Sequence, residues 1–524
     1  MYLVVTYENQ TRMKFKNNWL TAFVFVVLCC ALTKAADETT QKAVPIKQQD
    51  ANATVAPATP APKINVLESD LCKKCSCFHN PDHSQIDCSS KKMSSLFSVE
   101  EWKTLQNGDI TFDVIKFEHS NITSIGEFPS YPVKSLYLAF NQITNITKAA
   151  FANLTELIKL DLSHNKLTTK TLLPDVFKGL YSVNDYLPLG KMAELNLGHN
   201  DIHSLDSDLF EHLPKLESLS LSANTFQVID QNSATAISGL AYLKTLDLSY
   251  MELDELPDTL LHGPRDLETL ILSGNLLDEL PDHLNLAPNL RELVLDENPI
   301  EDLVDENIFP TLRYLTYLSM AYMPELKVIG PGAFSELQNL TTLILSSNTK
   351  LSKIDVKAFA KNTSNPEILS YPPLEKLYLH NNNLSALDRG MLERWDKITE
   401  LDLRYNYWTC DCSNRWLIEV LTIQINNTTP RWTQDINCYQ PNALRSIPLL
   451  QLSSAERRLK CSSEGGSTGS LFLIGLLVGI LLCVPIVLGS IALWRRGCFG
   501  LNRDRVIANR SLYNRANFSD ELHI

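Results

Sequence analysis

The feature that most constrains this chain is a spacing of leucines. In "LETLILSGNLLDELP", residues 267–281, the recurring leucines stand at Leu267, Leu270, Leu272, Leu277 and Leu280, with Asn275 in the gap and Leu276 outside the frame. Neither strict alternation nor a helical stripe gives that pattern. The frame returns in "LKTLDLSYMELDELP" from Leu243 and in "LRELVLDENPIEDL" from Leu290. On one register, units begin at Phe112, Val133, Leu157, Met192, Leu216, Leu243, Leu267, Leu290, Leu315, Leu340, Leu374 and Ile398, mostly 21 to 27 residues apart. One such unit cannot bury its own apolar face, so twelve at this period specify a stack that shares one core.

The x-L-x-L-x centre of each unit reads as a short strand whose leucines point in while the intervening residues point out. Leu277 and Leu280 re-enter the core from the return path. An asparagine stands where the chain leaves the strand, because a buried amide both donates and accepts. Asn141, Asn165, Asn200, Asn224, Asn275, Asn298, Asn348, Asn382 and Asn406 form this expected ladder. Ser120, Met251 and Met323 interrupt it, and the two methionine turns then need other partners, such as water. The units resemble the extracellular leucine-rich repeat family, L-x-x-L-x-L-x-x-N-x-L, over most of the chain from Cys72 to Cys461. That resemblance implies an α/β repeat solenoid: a leucine-rich repeat horseshoe with a parallel concave β-sheet, disulfide caps and one transmembrane helix.

The ends of the chain carry addressing signals. Lys14 and Lys16 precede an apolar run from Trp19 to Leu32, and Thr33-Lys34-Ala35 supplies small residues for cleavage, so 1–35 reads as a signal peptide. Met13 makes a more ordinary start than Met1. Residues 36–70, rich in Ala, Thr and Pro, read as a disordered linker. Leu471 to Trp494 is a run of 24 residues without a charge, where a bilayer needs ~20. Arg495 and Arg496 follow it, which puts the tail, 495–524, in the cytoplasm and the repeats outside. The remaining boundaries are an N-terminal cysteine cap at 71–111, repeats at 112–405, a C-terminal cysteine cap at 406–462 and a linker at 463–470. The net charge of −13 leaves −19 on the ectodomain, since 1–35 and the tail each carry +3. A surface that acidic argues against nucleic acid or heparin-like partners.

Eight of the twelve cysteines flank the repeats: Cys72, Cys75, Cys77 and Cys88 before them, Cys410, Cys412, Cys438 and Cys461 after. Their spacings also suit zinc, but in a secreted chain disulfides are the better reading. The clusters resemble the cysteine caps of the same family, which implies Cys72–Cys77, Cys75–Cys88, Cys410–Cys438 and Cys412–Cys461. Tyr407 stands where the family has proline, and a slightly altered turn is expected there. Cys498, just inside the membrane, is a candidate for palmitoylation or a plain free thiol.

Sequons for glycosylation lie at Asn52, Asn121, Asn145, Asn153, Asn339, Asn362, Asn383, Asn426 and Asn427. None within the repeats falls on an outward strand position, which leaves the strand face open. Two clusters on that face are candidates for partner binding. The principal one is Tyr250, Ile271, Val294, Tyr317, Tyr322 and Ile344, beside Glu292, Asp296 and Glu297, with Ser319 as a gap. The secondary one is Tyr137 and Phe140 with His119, His164 and His199, where a pH switch or metal site competes with plain solvated histidines.

No G-x-S-x-G, H-E-x-x-H or phosphate loop is present, and no stretch is free to build a catalytic domain. No enzyme, cofactor or resident metal is expected. The reading is a type I single-pass plasma-membrane protein that binds an extracellular protein or cell-surface partner in recognition or adhesion. The alternative is a signalling or innate-immune co-receptor, for which the 30-residue tail requires a partner's cytoplasmic domain. Gly475 and Gly479 form a G-x-x-x-G candidate for homodimerisation, and Leu522-His523-Ile524 resembles a PDZ ligand.

Overall fold

The computed structural model describes residues 63–182, 185–304, 308–365, 368–454, 459, 461, 481 and 483–492. The chain divides into two units, Met1–Pro62 and Lys63–Ile524. The expected signal peptide, Asn52, Gly475, Gly479, Cys498, Leu522 and Ile524 lie outside the described residues.

A single fourteen-stranded sheet runs through the repeats. Its first two strands, Ser76–His79 and Ser84–Asp87, belong to the N-terminal cap and are antiparallel. Twelve short parallel strands follow, one per repeat, from Val114–Lys116 to Glu400–Asp402. Register follows the frame: Leu246 faces Leu270, Leu270 faces Leu293 and Leu293 faces Leu318. These four leucines are fully buried. Each therefore satisfies its ladder on both sides and its core contact on one face, which is why three residues suffice for a strand.

The return paths are mostly turns. Among the described residues only one repeat carries an α-helix there, Gln231–Ser238, started by the Asp230 side chain on Ser233 N–H. Two runs of phenylalanine fill the core behind the turns: Phe128, Phe151 and Phe177, with centroids 5.7 and 6.1 Å apart, and Phe309, Phe334 and Phe359, at 5.9 and 5.1 Å. The two longest units, from Leu157 and Leu340, hold antiparallel pairs, Leu180–Ser182 with Asp185–Leu187 and Lys361–Asn362 with Leu369–Ser370.

The asparagine ladder forms, and it also resolves the interrupted turns. Asn275 donates to the carbonyls of Leu272 and, one repeat back, Leu248, both at 2.9 Å. Its Oδ1 accepts from Met251 N and Leu253 N at 3.0 and 3.1 Å. Asn348 accepts from Met323 N at 2.7 Å and donates to Met320 O at 2.9 Å. Asn141 serves the Ser120 turn in the same way, through Phe117 O and Ile122 N. The partner of each methionine turn is thus the next repeat's asparagine, not water.

The residue just before each ladder position is left-handed. Across the twelve repeats these are His119, Phe140, His164, His199, Ala223, Tyr250, Gly274, Glu297, Tyr322, Ser347, Asn381 and Tyr405, with φ between 51° and 66°. The chain leaves the strand and reverses there, so these side chains emerge in a column of their own beside the sheet.

All four disulfides have the pairing that the resemblance implies. The N-terminal cap adds helix Val99–Gln106, closed by a Ser98–Glu101 capping box, with Trp102 set edge-on to Phe97 and Phe128. At the other end Trp408 is fully buried and donates to Leu403 O at 3.0 Å. Tyr407 meets Tyr439 edge-on at 4.7 Å, so the cap tolerates the missing proline.

Among the described residues no helix is long and apolar enough to cross a membrane. Of the run Leu471–Trp494, Leu481 and 483–492 are described; they are helical, with Leu481, Ile486 and Leu488 exposed.

Candidate partner-binding face

Each repeat strand presents two outward positions. One row reads Asp247, Ile271, Val294, Ser319, Ile344, Tyr378 and Asp402 across successive strands. The other reads Thr245, Thr269, Glu292, Tyr317, Thr342, Lys376 and Glu400 over the same strands. The left-handed column borders them.

The principal cluster is thus brought together, but not all on strands. Ile271, Val294 and Ile344 share one row, half-buried, and Tyr317 stands in the other. Tyr250 and Tyr322 are not strand residues: each lies beyond its strand's end in the left-handed column, 49% and 61% exposed. Period-two alternation carried on from Leu246 and Leu248, or from Leu318 and Met320, would turn both tyrosines inward; the left-handed turn is what brings them out. Ser319 is a filled gap, since its hydroxyl donates to Asp296 at 2.6 Å and Asp296 also accepts from Ala321 N at 2.8 Å. Tyr378, at the end of the apolar row, was not singled out from sequence. Its hydroxyl donates to Glu400, and burial with that carboxylate pushes its ionisation up to about 12.

The Tyr250 ring lies over Gly274, where a Cβ would come within 2.2 Å of Cδ1 and Cε1. Its hydroxyl crosses the following repeat and donates to Glu297 Oε1, two repeats on, at 3.0 Å. That bond, with some burial, raises the Tyr250 pKa.

The secondary cluster is a stack. Phe140 occupies the histidines' own column in the one of the first four repeats that has no histidine there. His119, Phe140, His164 and His199 follow with centroids 4.3, 3.9 and 3.9 Å apart and planes within 15°. Parallel rings direct their in-plane lone pairs side by side rather than toward one point, which does not suit chelation. Among the described residues no group of His, Cys, Asp and Glu is placed to hold a metal ion. Burial and the His199 ring lower the pKa of His164. Tyr137 sits apart, on its strand, under the ammonium groups of Lys116 and Lys159 at 5.2 and 5.8 Å. This cluster largely satisfies itself, whereas the principal one leaves ring surface unused.

Beyond Tyr378 the face closes on charge. The buried Asp402 carboxylate takes a fork from Arg404, at 2.9 and 2.6 Å, and the guanidinium lies over Trp432 at 5.2 Å. His380 Nδ1 is 3.2 Å from the same carboxylate. Its pKa is lowered, with burial outweighing Asp402.

The sequons keep to other surfaces. Asn145 and Asn362 stand in small sheets of the return side, and Asn121, Asn339, Asn383 and Asn427 are exposed outside the large sheet. Asn153 is half-buried and its amide donates to Glu127 and Phe128. Asn426 accepts from Thr433.

The family comparison agrees with the repeats. The leucine rich repeat family matches residues 132–185, 191–244, 241–300 and 288–349. A solved leucine-rich repeat protein of Leptospira interrogans is 20% identical over 62% of this chain and 78% of its own, with a TM-score of 0.44. A chain from an octameric complex of Latrophilin 3, Unc5D and FLRT2 is 19% identical over 72% and 95%, with a TM-score of 0.36. The chain carries leucine-rich repeats, stacked as a parallel-sheet solenoid with a disulfide-bonded cap at each end.

Proposed function

We propose that this is a type I single-pass plasma-membrane protein that binds a protein partner through the outward face of its repeats, in cell recognition or adhesion. The observation that carries this is the principal cluster. Ile271, Val294 and Ile344 in one row, Tyr317 beside them, and Tyr250 and Tyr322 at the border make an apolar and aromatic area on adjacent strands. Four disulfides suit an extracellular compartment. The apolar helix at 483–492, with side chains open, suits a bilayer. The residues of the face are the tips of a structural frame, and no nucleophile, base and oxyanion donor converge on it, so the role is binding and not catalysis.

The test is a screen of the full chain on cells against cell-surface proteins, its own included. Tyr317→Asp with Tyr322→Asp should weaken the recovered partner at least about tenfold, as loss of central aromatic anchors does, without altering surface delivery. Retained binding, with loss instead on Tyr137→Asp and Phe140→Asp, would move the site to the histidine stack. A second reading is a co-receptor that signals through a partner's cytoplasmic domain. Leu522 and Ile524 at the tail's end are proposed to engage a PDZ scaffold, Cys498 to carry a lipid, and Gly475 and Gly479 to mediate dimers.

A further inference from the structure

Eleven of the twelve residues in the left-handed column carry side chains, at φ values between 51° and 62°. The backbone therefore does not by itself require glycine at Gly274, although a left-handed side-chain residue costs roughly 1–2 kcal/mol. What requires it is Tyr250. Any Cβ at 274 would collide with two ring carbons of Tyr250, at 2.2 Å. The glycine thus allows the ring to lean across one whole repeat and reach Glu297 Oε1. Ala223, the preceding member of the column, ends in a methyl group, so the other side of the ring stays open, and Tyr250 is 49% exposed.

Charge around this ring has one sign. In repeats 4 to 10 the two strand rows, the left-handed column and the residues just before that column hold Glu194, Asp247, Glu292, Asp296 and Glu297 and no lysine or arginine. The cations at the neighbouring edge are already committed: Lys244 to Glu217 at 2.8 Å and Arg291 to Glu268 at 3.6 Å. Glu297 holds Tyr250 with Oε1, and Asp296 holds Ser319 and Ala321 with Oδ1. The second oxygen of each carboxylate is left to accept.

We propose that Tyr250, Gly274 and Glu297 form a seat for an arginine side chain of the protein partner. This rests on the partner-binding reading and names the chemistry that reading would recognise. A guanidinium stacks flat on the open side of the Tyr250 ring and donates edge-on to Glu297 Oε2 and Asp296 Oδ2. Planarity and a fork of donors suit arginine to this arrangement better than lysine. Gly274 is a positioning residue: it touches no ligand and sets the tilt of the ring.

The experiment uses the full chain in detergent micelles and an immobilised oligo-arginine peptide, with oligo-lysine and oligo-citrulline of equal length as controls. Oligo-arginine should bind more tightly than oligo-lysine, and oligo-citrulline should not bind. Tyr250→Ala, Glu297→Gln and Gly274→Ala should each weaken oligo-arginine about tenfold. The Gly274→Ala effect should vanish in a Tyr250→Ala background, since no ring remains to displace. Asp254→Asn, an exposed carboxylate on the return path, should change nothing. If Gly274→Ala misfolds, Tyr250→Leu introduces no clash and carries the comparison. Native affinity in Glu297→Gln, or an equal loss in Asp254→Asn, overturns the proposal, the latter as diffuse attraction to an acidic surface. A cell-surface partner that loses binding on Tyr317→Asp with Tyr322→Asp but not on Glu297→Gln refutes the seat while the face stands. A partner indifferent to both refutes the face.

Discussion

Asn348 serves two repeats at once. Its amide holds Leu345 O in its own turn and Met320 O in the one before, while its oxygen takes Met323 N. Methionine at 323 offers the backbone nothing comparable, so Asn348 has no substitute there. Asn348→Ala should destabilise this region by about 3 kcal/mol or more, because each orphaned buried polar group costs roughly 1–3 kcal/mol. Hydrogen exchange around Met320–Met323 should show the loss, and unchanged protection there would refute the assignment. His164 gives a second residue-scale expectation. Burial and His199 lower its pKa, so the unfolded chain binds a proton more readily than the folded one. Stability is then full above the ordinary histidine pKa and falls as pH drops through it toward the lowered value. Urea unfolding of the N-terminal repeats should shift to lower denaturant between about pH 7 and pH 5, and His164→Phe should blunt that shift.

Elements were legible from sequence to the extent that repetition made them so. Twelve registered copies identify the buried leucines of every strand, and those strands form one sheet in the expected order. The turn into the ladder was not legible. Tyr250 and Tyr322 share the parity of the buried Leu246 and Leu248, and of Leu318 and Met320, so alternation alone would bury them; they are exposed because the chain has already left the strand and reversed at φ 55° and 56°. Nor was the Phe140 position in the histidine stack visible as such, because phenylalanine and histidine do not look like one column until their rings are superposed. The pose of Tyr250 depends on a glycine one repeat later and a carboxylate two repeats later, which periodicity does not report. The caps were legible through their cysteines. Cys410→Ser should loosen the C-terminal cap by about 2–5 kcal/mol, the usual cost in small secreted domains. Hydrogen exchange in the last repeats should rise first. Equal protection in repeats 10 to 12 would show that the disulfide does not hold that end.

At the scale of the molecule the sequons and the face are segregated. All the described sequons stand off the large sheet, so removing any glycans that they carry should leave partner binding unchanged. A new sequon on the face, Thr269→Asn with Ile271→Thr, should abolish it, since Thr269 and Ile271 are outward positions of one strand. Flow cytometry with the recovered partner reads both arms, and binding that survives the added glycan would place the contact elsewhere.

The covalent topology of the C-terminal cap also decides how the protein responds to being pulled. Cys412 and Cys461 are 49 residues apart in sequence and joined through their sulfurs, and the Cys410–Cys438 bond overlaps that loop. Tension applied beyond Cys461 therefore enters the folded chain at Cys412 and bypasses everything between the two. The cap cannot unravel into slack, and the pull reaches the strand Glu400–Asp402 ten residues before Cys412. The load-bearing tether is thus also one of the two bonds that plug the core: whatever holds the far end, the repeats feel it without an elastic buffer.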